Sequence, residues 1–201
     1  MLVSGALISY DSVRAGCGPY ARRVTDSGLS IRDLELSDLP LLSAWSQRPH
    51  VERWWHEPAD LDATRAAYLP VIRGTDPTHM CVVELEGRPI GCIQWARWRD
   101  YPQEAGRRAA AKDEVSIDYF IGEPDLIGQG IGTRMIAAAL TYVRQQAPDV
   151  AGALIDPEQG NRASCRALEK NGFRLVDVRQ IQDPGEPVLG PTAIYRLRFS
   201  D

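Results

Sequence analysis

One carboxylate stands where the sequence around it is apolar. In the stretch from Asp113 to Thr133, DEVSIDYFIGEPDLIGQGIGT, residues Val115, Ile117, Tyr119 and Ile121 alternate with Ser116, Asp118 and Phe120. That period of two predicts a strand with Asp118 on the face opposite its immediate neighbours. An aspartate so placed can accept a proton from a nucleophile, a step typically worth ~10²–10⁴-fold in rate. It can equally be one member of an arginine ion-pair network, which also sets carboxylates into strands.

After the turn Gly122-Glu123-Pro124-Asp125 comes Gly128-Gln129-Gly130-Ile131-Gly132-Thr133, followed by the helical run Arg134 to Gln146. Glycines at a helix start let successive backbone N–H groups converge without Cβ obstruction, and the helix dipole adds partial positive charge there. The loop therefore suits a phosphate or pyrophosphate, although the same residues would also make an ordinary tight turn. Two better-known motifs are excluded. A P-loop ends in Gly-Lys-Ser/Thr, which Gly132-Thr133 does not supply, and the dinucleotide fingerprint needs a third glycine where Thr133 or Met135 stands, depending on the frame.

The elements that must position these residues are bounded by the composition. The chain has 201 residues, 44% hydrophobic and 25% charged, enough for one domain with a substantial core. The net charge of −4 disfavours nucleic acid or an anionic membrane as main partner and favours a cationic one. Cys17, Cys81, Cys92 and Cys165 lack C-x-x-C pairing and histidines at ligand spacing, so no metal is expected and a reducing, cytoplasmic location is. Residues 1–28 make a poor signal peptide, read either as a flexible extension or as an appended segment, which leaves 29–201 as the domain. No uninterrupted apolar segment approaches the roughly 20 residues that a bilayer helix requires.

In chain order, residues 29–34 alternate as a first strand. Ser37 is expected to cap a helix carrying Leu39, Leu41, Leu42 and Trp45. After a break at Pro49, helical residues 51–56 and 60–73 follow, the second bent or ended by Pro70. Adjacent Trp54 and Trp55 cannot face one way on a helix, so at least one should reach a surface or cleft. Residues 78–85 and 90–98 form a hairpin, and 99–112, holding Arg99, Asp100, Tyr101, Arg107 and Arg108, read as a long irregular loop on the substrate side or as a disordered stretch. Strands at 151–155, 173–181 and 192–199, with a short helix from Arg162 to Asn171 capped by Asn161 and closed by Gly172, complete a mixed α/β sheet of about seven strands flanked by helices.

Three segments taken together resemble the GNAT acetyltransferase superfamily: the Asp118 strand, the loop Gly128 to Thr133, and Asp156-Pro-Glu-Gln-Gly-Asn161 through Glu169-Lys170-Asn171-Gly172-Phe173. More narrowly, Val51-Glu-Arg-Trp-Trp55, Gly87-Arg-Pro-Ile-Gly91, Ile117-Asp-Tyr-Phe-Ile-Gly-Glu-Pro124 and the Asp156-Pro157 corner resemble the aminoglycoside 6′-N-acetyltransferases. The likeness spans about residues 29–199. It implies a GNAT fold, a twisted sheet splayed at an acetyl-CoA cleft between the Asp118 strand and the strand ending at Asp156. It puts pyrophosphate on the amides of Gln129, Gly130, Ile131, Gly132 and Thr133, and pantetheine against backbone groups of Phe120 and Ile121. An N–H near Tyr119 or Phe120 would polarise the thioester, and Asn161 would contact CoA beyond its capping role. Two departures stand out. Ile127 replaces a common Arg or Gln, and Leu168 stands where many relatives have the tyrosine that protonates the departing thiolate.

Acetyl transfer needs an uncharged amine, a polarised carbonyl and a held geometry. Asp118 is the expected base. A cationic aminoglycoside calls for an acidic site with aromatic walls, for which the candidates are Glu52, Trp54, Trp55, Asp113, Glu114, Asp118 and Asp156; Glu52, Asp113 and Glu114 also fit a solvated face. The expected enzyme is a metal-free acetyl-CoA-dependent aminoglycoside 6′-N-acetyltransferase, monomeric or homodimeric. The alternatives are acetylation of a polyamine, a siderophore precursor or a protein N-terminus, and a non-catalytic acyl-CoA-binding module.

Overall fold

In a computed structural model that describes residues 24–26, 28–56, 60–182 and 190–199, the chain runs β1 (Val24–Asp26), β2 (Leu29–Asp33), α1 (Leu39–Ser46), α2 (Pro49–Trp55), α3 (Leu61–Ile72), β3 (His79–Leu85) and β4 (Arg88–Arg97). It continues with α4 (Pro102–Arg108), β5 (Glu114–Ile121), α5 (Ile131–Gln146), β6 (Gly152–Ile155), α6 (Arg162–Lys170), β7 (Arg174–Arg179) and β8 (Thr192–Arg198). The described strands form one mixed sheet in the order β1-β2-β3-β4-β5-β6-β8-β7. The eighth strand, beyond the expected seven or so, is Val24–Asp26, which pairs antiparallel with β2 inside the segment read as an extension. Residues 1–23 and 27 of that segment, Cys17 among them, lie outside the described residues.

Every neighbouring pair is antiparallel except β5 and β6, and a parallel pair needs a crossover, which α5 supplies. Among the described residues β5 and β6 pair at only two positions, Glu114↔Gly152 and Val115↔Ala153. Beyond those positions the strands part, so residues 117–121 and the end of β6 border an opening instead of each other.

Two apolar layers hold the sheet. On one face α5 buries Met135, Ile136, Ala139, Tyr142 and Val143 at helical spacing against Val115, Ile117, Ile93 and Ala153. On the other, Leu39, Leu42, Trp45, Val51, Trp55 and Tyr68 from α1, α2 and α3 cover Met80, Val82, Cys92 and Phe120. Fully burying one such side chain contributes about 1.5–3 kcal/mol. The alternation in β5 thus divides as its sequence requires, with Ile117 under α5 and Phe120 under α2. The β3–β4 hairpin turns on Glu86 and Gly87, both left-handed at φ 51° and 81°, the two-residue turn whose twist matches the strands.

Three local expectations need correction. Ser37 does not cap α1; it lies in a 3₁₀ turn, Leu36–Asp38, and α1 begins after Asp38. Pro70 neither bends α3 in its middle nor stops it, because it falls in the last turn, where only one intrahelical bond is lost. Residues 99–112 are largely helical, through a 3₁₀ turn at Trp98–Asp100 and α4 with Pro102 at its first position. Seven residues are too few for a periodic signal to register in the sequence.

Candidate active site

The segment leaving β5 is fixed from both sides. A Cβ on Gly91 would come 2.2 Å from the Phe120 carbonyl oxygen, and one on Gly122 would come 2.3 Å from the Trp45 ring, so both positions admit only glycine. Arg48 Nη1 donates to the Gly122 carbonyl at 2.6 Å and pairs with Glu123 at 3.2 Å, while Trp45 Nε1 donates to Glu123 at 2.8 Å. These donors hold the Glu123 carboxyl below the usual range, the Trp45 bond foremost. His50 Nε2 lies 3.0 Å from the Ile121 carbonyl, one of the groups expected to serve pantetheine.

The opening between β5 and β6 is a cleft of about 480 Å³. Asp118, Tyr119, Phe120, Ile121, Trp54, Trp55, Gly130, Gly132, Thr133, Asp156 and Asn161 all border it, so most of the residues singled out in the sequence meet in one place. Five do not. Gln129 is exposed, its side chain donating to the Asp125 carbonyl at 2.6 Å, and Ile131 points its side chain into the core, which leaves only their amides for any role at the cleft. Glu52 is exposed outside it. Asp113 pairs with Arg198 at 2.9 Å. Glu114, fully buried, pairs with Arg196 at 2.9 Å and accepts the Ala111 N–H at 2.9 Å. The reason for the last two is positional: Glu114 starts β5 and Asp113 precedes it, at the end where β5 and β6 are still paired. With about 3.3 Å per residue, that is roughly 13 Å from Asp118 for Glu114 and about 17 Å for Asp113.

One wall of the cleft is backbone. Gly128 and Gly130 are left-handed at φ 80° and 79°, and a Cβ on either would meet nothing within 4 Å. Gly130 is the N-cap of α5, whose first-turn N–H groups have no intrahelical acceptor and so suit an anion. Gly132 has no positive φ, and its Cβ would make only ordinary contacts, at 3.8 Å from Ile121 Cδ1. Asn171 Nδ2 ties this turn to α6 through the carbonyls of Thr133 at 3.1 Å and Ala167 at 2.8 Å. Ala163, Arg166, Ala167 and Lys170 present one stripe of α6 to the cleft, adding two cations that the sequence reading missed and that their i, i+3, i+4, i+7 spacing could have revealed. Asn161 Oδ1 accepts the Ser164 N–H at 3.2 Å, the expected cap. Left-handed glycines, converging amides and paired cations fit a cofactor that carries phosphates.

The other wall is made of side chains. Asp118 is half-buried and stands opposite Gln94 of β4. The Tyr119 hydroxyl lies 2.9 Å from Ser164 Oγ, and burial pushes its pKa up to about 12 against the lowering effect of that bond. Leu168 is fully buried in the core beneath α6 and does not border the cleft. The two tryptophans divide as expected. Trp55 is buried edge-on to Phe120, with ring centroids 4.7 Å apart, and its indole nitrogen has no hydrogen-bond partner among the described residues. Trp54 is half-exposed, its ring beside Gly160 and under the Arg53 guanidinium at 4.7 Å. Asp156 is buried against Arg108, whose Nε is 2.6 Å from its Oδ2. His56, left-handed at φ 52° where α2 ends, sits 3.2 Å from Glu158 and so links the two sides of the cleft. Nothing local in the sequence marks Arg108, His50, Glu158 or Ser164. Among the described residues no group of three or more His, Cys, Asp or Glu could hold a metal ion, and no helix is long and apolar enough to cross a membrane.

This architecture has counterparts. A family model described as an acetyltransferase (GNAT) domain matches residues 35–181. Aminoglycoside N(6′)-acetyltransferase type 1 of Klebsiella pneumoniae is 24% identical over 159 residues, 74% of this chain and 75% of that protein. Among solved structures, aminoglycoside acetyltransferase AAC(6′)-Ib in complex with coenzyme A and kanamycin superposes with a TM-score of 0.71 at 24% identity, covering 85% of this chain and 94% of that one. RimL, the ribosomal L7/L12 alpha-N-protein acetyltransferase, does so with a TM-score of 0.67 at 17% identity, covering 89% and 94%. The fold is thus shared by proteins named for very different acceptors, whereas the family match extends over most of the chain and both walls of the cleft: the protein belongs to the GNAT acetyltransferase family and is an acetyl-CoA-dependent N-acetyltransferase.

Proposed function

We propose that the enzyme is an aminoglycoside 6′-N-acetyltransferase acting in the cytoplasm, where the modification would confer resistance to the drug. The observation that carries this reading is the placing of Asp118 in the splay between β5 and β6, with the anion-binding backbone on one side and Trp54, Trp55, Asp156 and Glu158 on the other. Carboxylates beside indole faces suit an amino sugar, whose ammonium groups seek charge and whose ring seeks a flat apolar surface. A cleft of about 480 Å³ is in the range of small-molecule sites.

Acetyl-CoA, when bound, supplies an activated acetyl group. The residues to hold it are the amides of residues 129–133, the cations Arg166 and Lys170, and Asn161 at the cleft edge. Protein groups then meet three demands. An N–H of β5 at Tyr119 or Phe120 is the proposed donor to the reacting carbonyl, since preorganised donors act strongly where water is excluded. The carboxylate of Asp118 draws in the substrate ammonium and accepts its proton at Oδ, leaving a nucleophilic amine. Trp54 and the cleft carboxylates orient the acceptor, converting the encounter into an effectively unimolecular step.

Thiol release from acetyl-CoA, measured with and without kanamycin, tests this reading, with mass spectrometry and NMR locating the new acetyl group. Release that depends on the drug, with the 6′-nitrogen acetylated, is expected. A second reading, transfer to an amine with fewer charges such as a protein N-terminus, draws support from the Arg108–Asp156 pair, which cancels one of the cleft carboxylates. It predicts release only with other amines. No release with any amine would favour a binding module.

A further inference from the structure

The Arg108–Asp156 pair is built into the cleft. The two side chains are 4% and 3% exposed, and both border the cavity. Arg108 arrives from the last turn of α4, with its guanidinium 5.7 Å from the centroid of the Trp98 ring. Trp98 is itself fixed to β6, its Nε1 donating to the Leu154 carbonyl at 3.1 Å, two residues before Asp156. A cation so held has a fixed place beside the carboxylate. A carboxylate this deeply buried requires a counter-ion, and here the chain provides its own.

We propose that Arg108 is a specificity-determining residue, a resident counter-ion occupying the place at Asp156 that a second substrate ammonium group would otherwise take, so that the cleft selects acceptors with fewer ammonium groups near the reacting amine. The inference deepens the aminoglycoside reading and rests on it for the class of acceptor, while the charge argument holds for any polyamine. An ammonium group approaching Asp156 meets a carboxylate already bound by a guanidinium. It forgoes a charge-assisted hydrogen bond, on the order of tenfold or more in affinity.

A charge cycle tests this. Wild type, Arg108→Gln, Asp156→Asn and the double variant are titrated calorimetrically with kanamycin A and kanamycin B, which differ by a hydroxyl in place of one amine on the ring that bears the 6′-amine. The same four proteins are titrated with spermidine and spermine, one ammonium apart. The expected result is that Arg108→Gln raises the preference for the more highly charged ligand by about tenfold or more, the gain set by one charge-assisted bond. Asp156→Asn, which leaves the arginine in excess, should lower that preference, and the double variant should return to within about threefold of wild type, as compensated pairs do. If Arg108→Gln does not fold, as judged by circular dichroism and CoA affinity, the lowered preference of Asp156→Asn and its restoration in the double variant carry the test. An unchanged preference in either folded single variant overturns the proposal, as does failure of both ligand series to bind any folded protein. Should the polyamines follow the cycle while neither kanamycin binds, the role of Arg108 stands and the aminoglycoside reading falls.

Discussion

The two walls of the cleft are made of different materials. The wall of α5 and α6 is largely main chain: left-handed Gly128 and Gly130, the first-turn amides of α5, and an asparagine cap, all local in sequence. The facing wall is made of side chains from distant elements, with Arg108 meeting Asp156 across 48 residues and His56 meeting Glu158 across 102. A backbone wall is constrained by its own conformation, here the left-handed φ of Gly128 and Gly130, whereas a side-chain wall can change residue by residue without disturbing the sheet. On the reading proposed above, the first wall would carry what the enzyme shares with its family, and the second would carry its choice of acceptor.

The sharpest way to break that division is at Asp118, which borders the cleft from β5. Asp118→Asn is expected to lower kcat by at least ~10²-fold, the general-base contribution. CoA affinity should hardly change, since the anion-binding turn begins on the far side of the Gly122–Glu123 segment. Turnover within a few-fold of wild type near neutral pH would remove Asp118 from the chemistry.

A smaller effect is expected within the backbone wall, where the glycines are not equivalent. Gly130→Val forces a β-branched residue into a left-handed cap, at a cost of about 1–2 kcal/mol, and should weaken CoA binding by roughly tenfold. Gly132→Val meets no such strain and should weaken binding less, through obstruction of the cofactor alone. Equal losses at both positions, or none with folding intact, would show that the left-handed cap is not what shapes the phosphate site.

This contrast also explains which parts were legible in the sequence. The strand of Asp118, the hairpin, the α5 stripe and the Asn161 and Gly172 caps rest on spacing within a few residues, and all are where the sequence puts them. Trp54 and Trp55 were legible as a pair for the same reason. Glu114 misled because an acid beside Asp118 in sequence lies at the paired end of the strand, where Arg196 and Arg198 of β8 claim it. Arg108 was legible only as part of a stretch expected on the substrate side, and its pairing was not: α4 is too short to show a period, and its partner on β6 is a tertiary neighbour only.

Salt should act more weakly again, and only on the side-chain wall. Acidic residues attract a polycation over the screening length of ~8–10 Å at physiological ionic strength, so the aminoglycoside KM should rise with salt. Because Arg108 already cancels Asp156, the rise is expected to be modest, about threefold across the range in which surface attraction is lost. A flat KM would assign binding to stacking on Trp54, and a steep one would mean that the pair opens when the drug binds.

The smallest effect is expected where a general acid would have to be. Leu168 has no proton to give and lies in the core, so any phenol serving the departing thiolate must come from elsewhere. Tyr101 is unsuited, since its hydroxyl is held by Thr78 at 2.5 Å and Asp76 at 3.1 Å, away from the residues that border the cleft. Tyr119 does reach the cleft, where its hydroxyl bonds Ser164, but burial pushes its pKa up to about 12. A higher pKa makes it a poorer proton donor near neutrality than an ordinary phenol, and efficiency in general-acid catalysis falls as the acid's pKa moves away from the working pH. A thiolate with a pKa near 8.5, the ordinary thiol value, can instead take its proton from water. Tyr119→Phe should therefore lose no more than about threefold in kcat, and Tyr101→Phe less, both well short of the ~10²-fold loss that follows removal of a general acid. A loss of ~10²-fold in Tyr119→Phe with drug affinity preserved would make the Tyr119–Ser164 pair, which joins β5 to α6, the proton source.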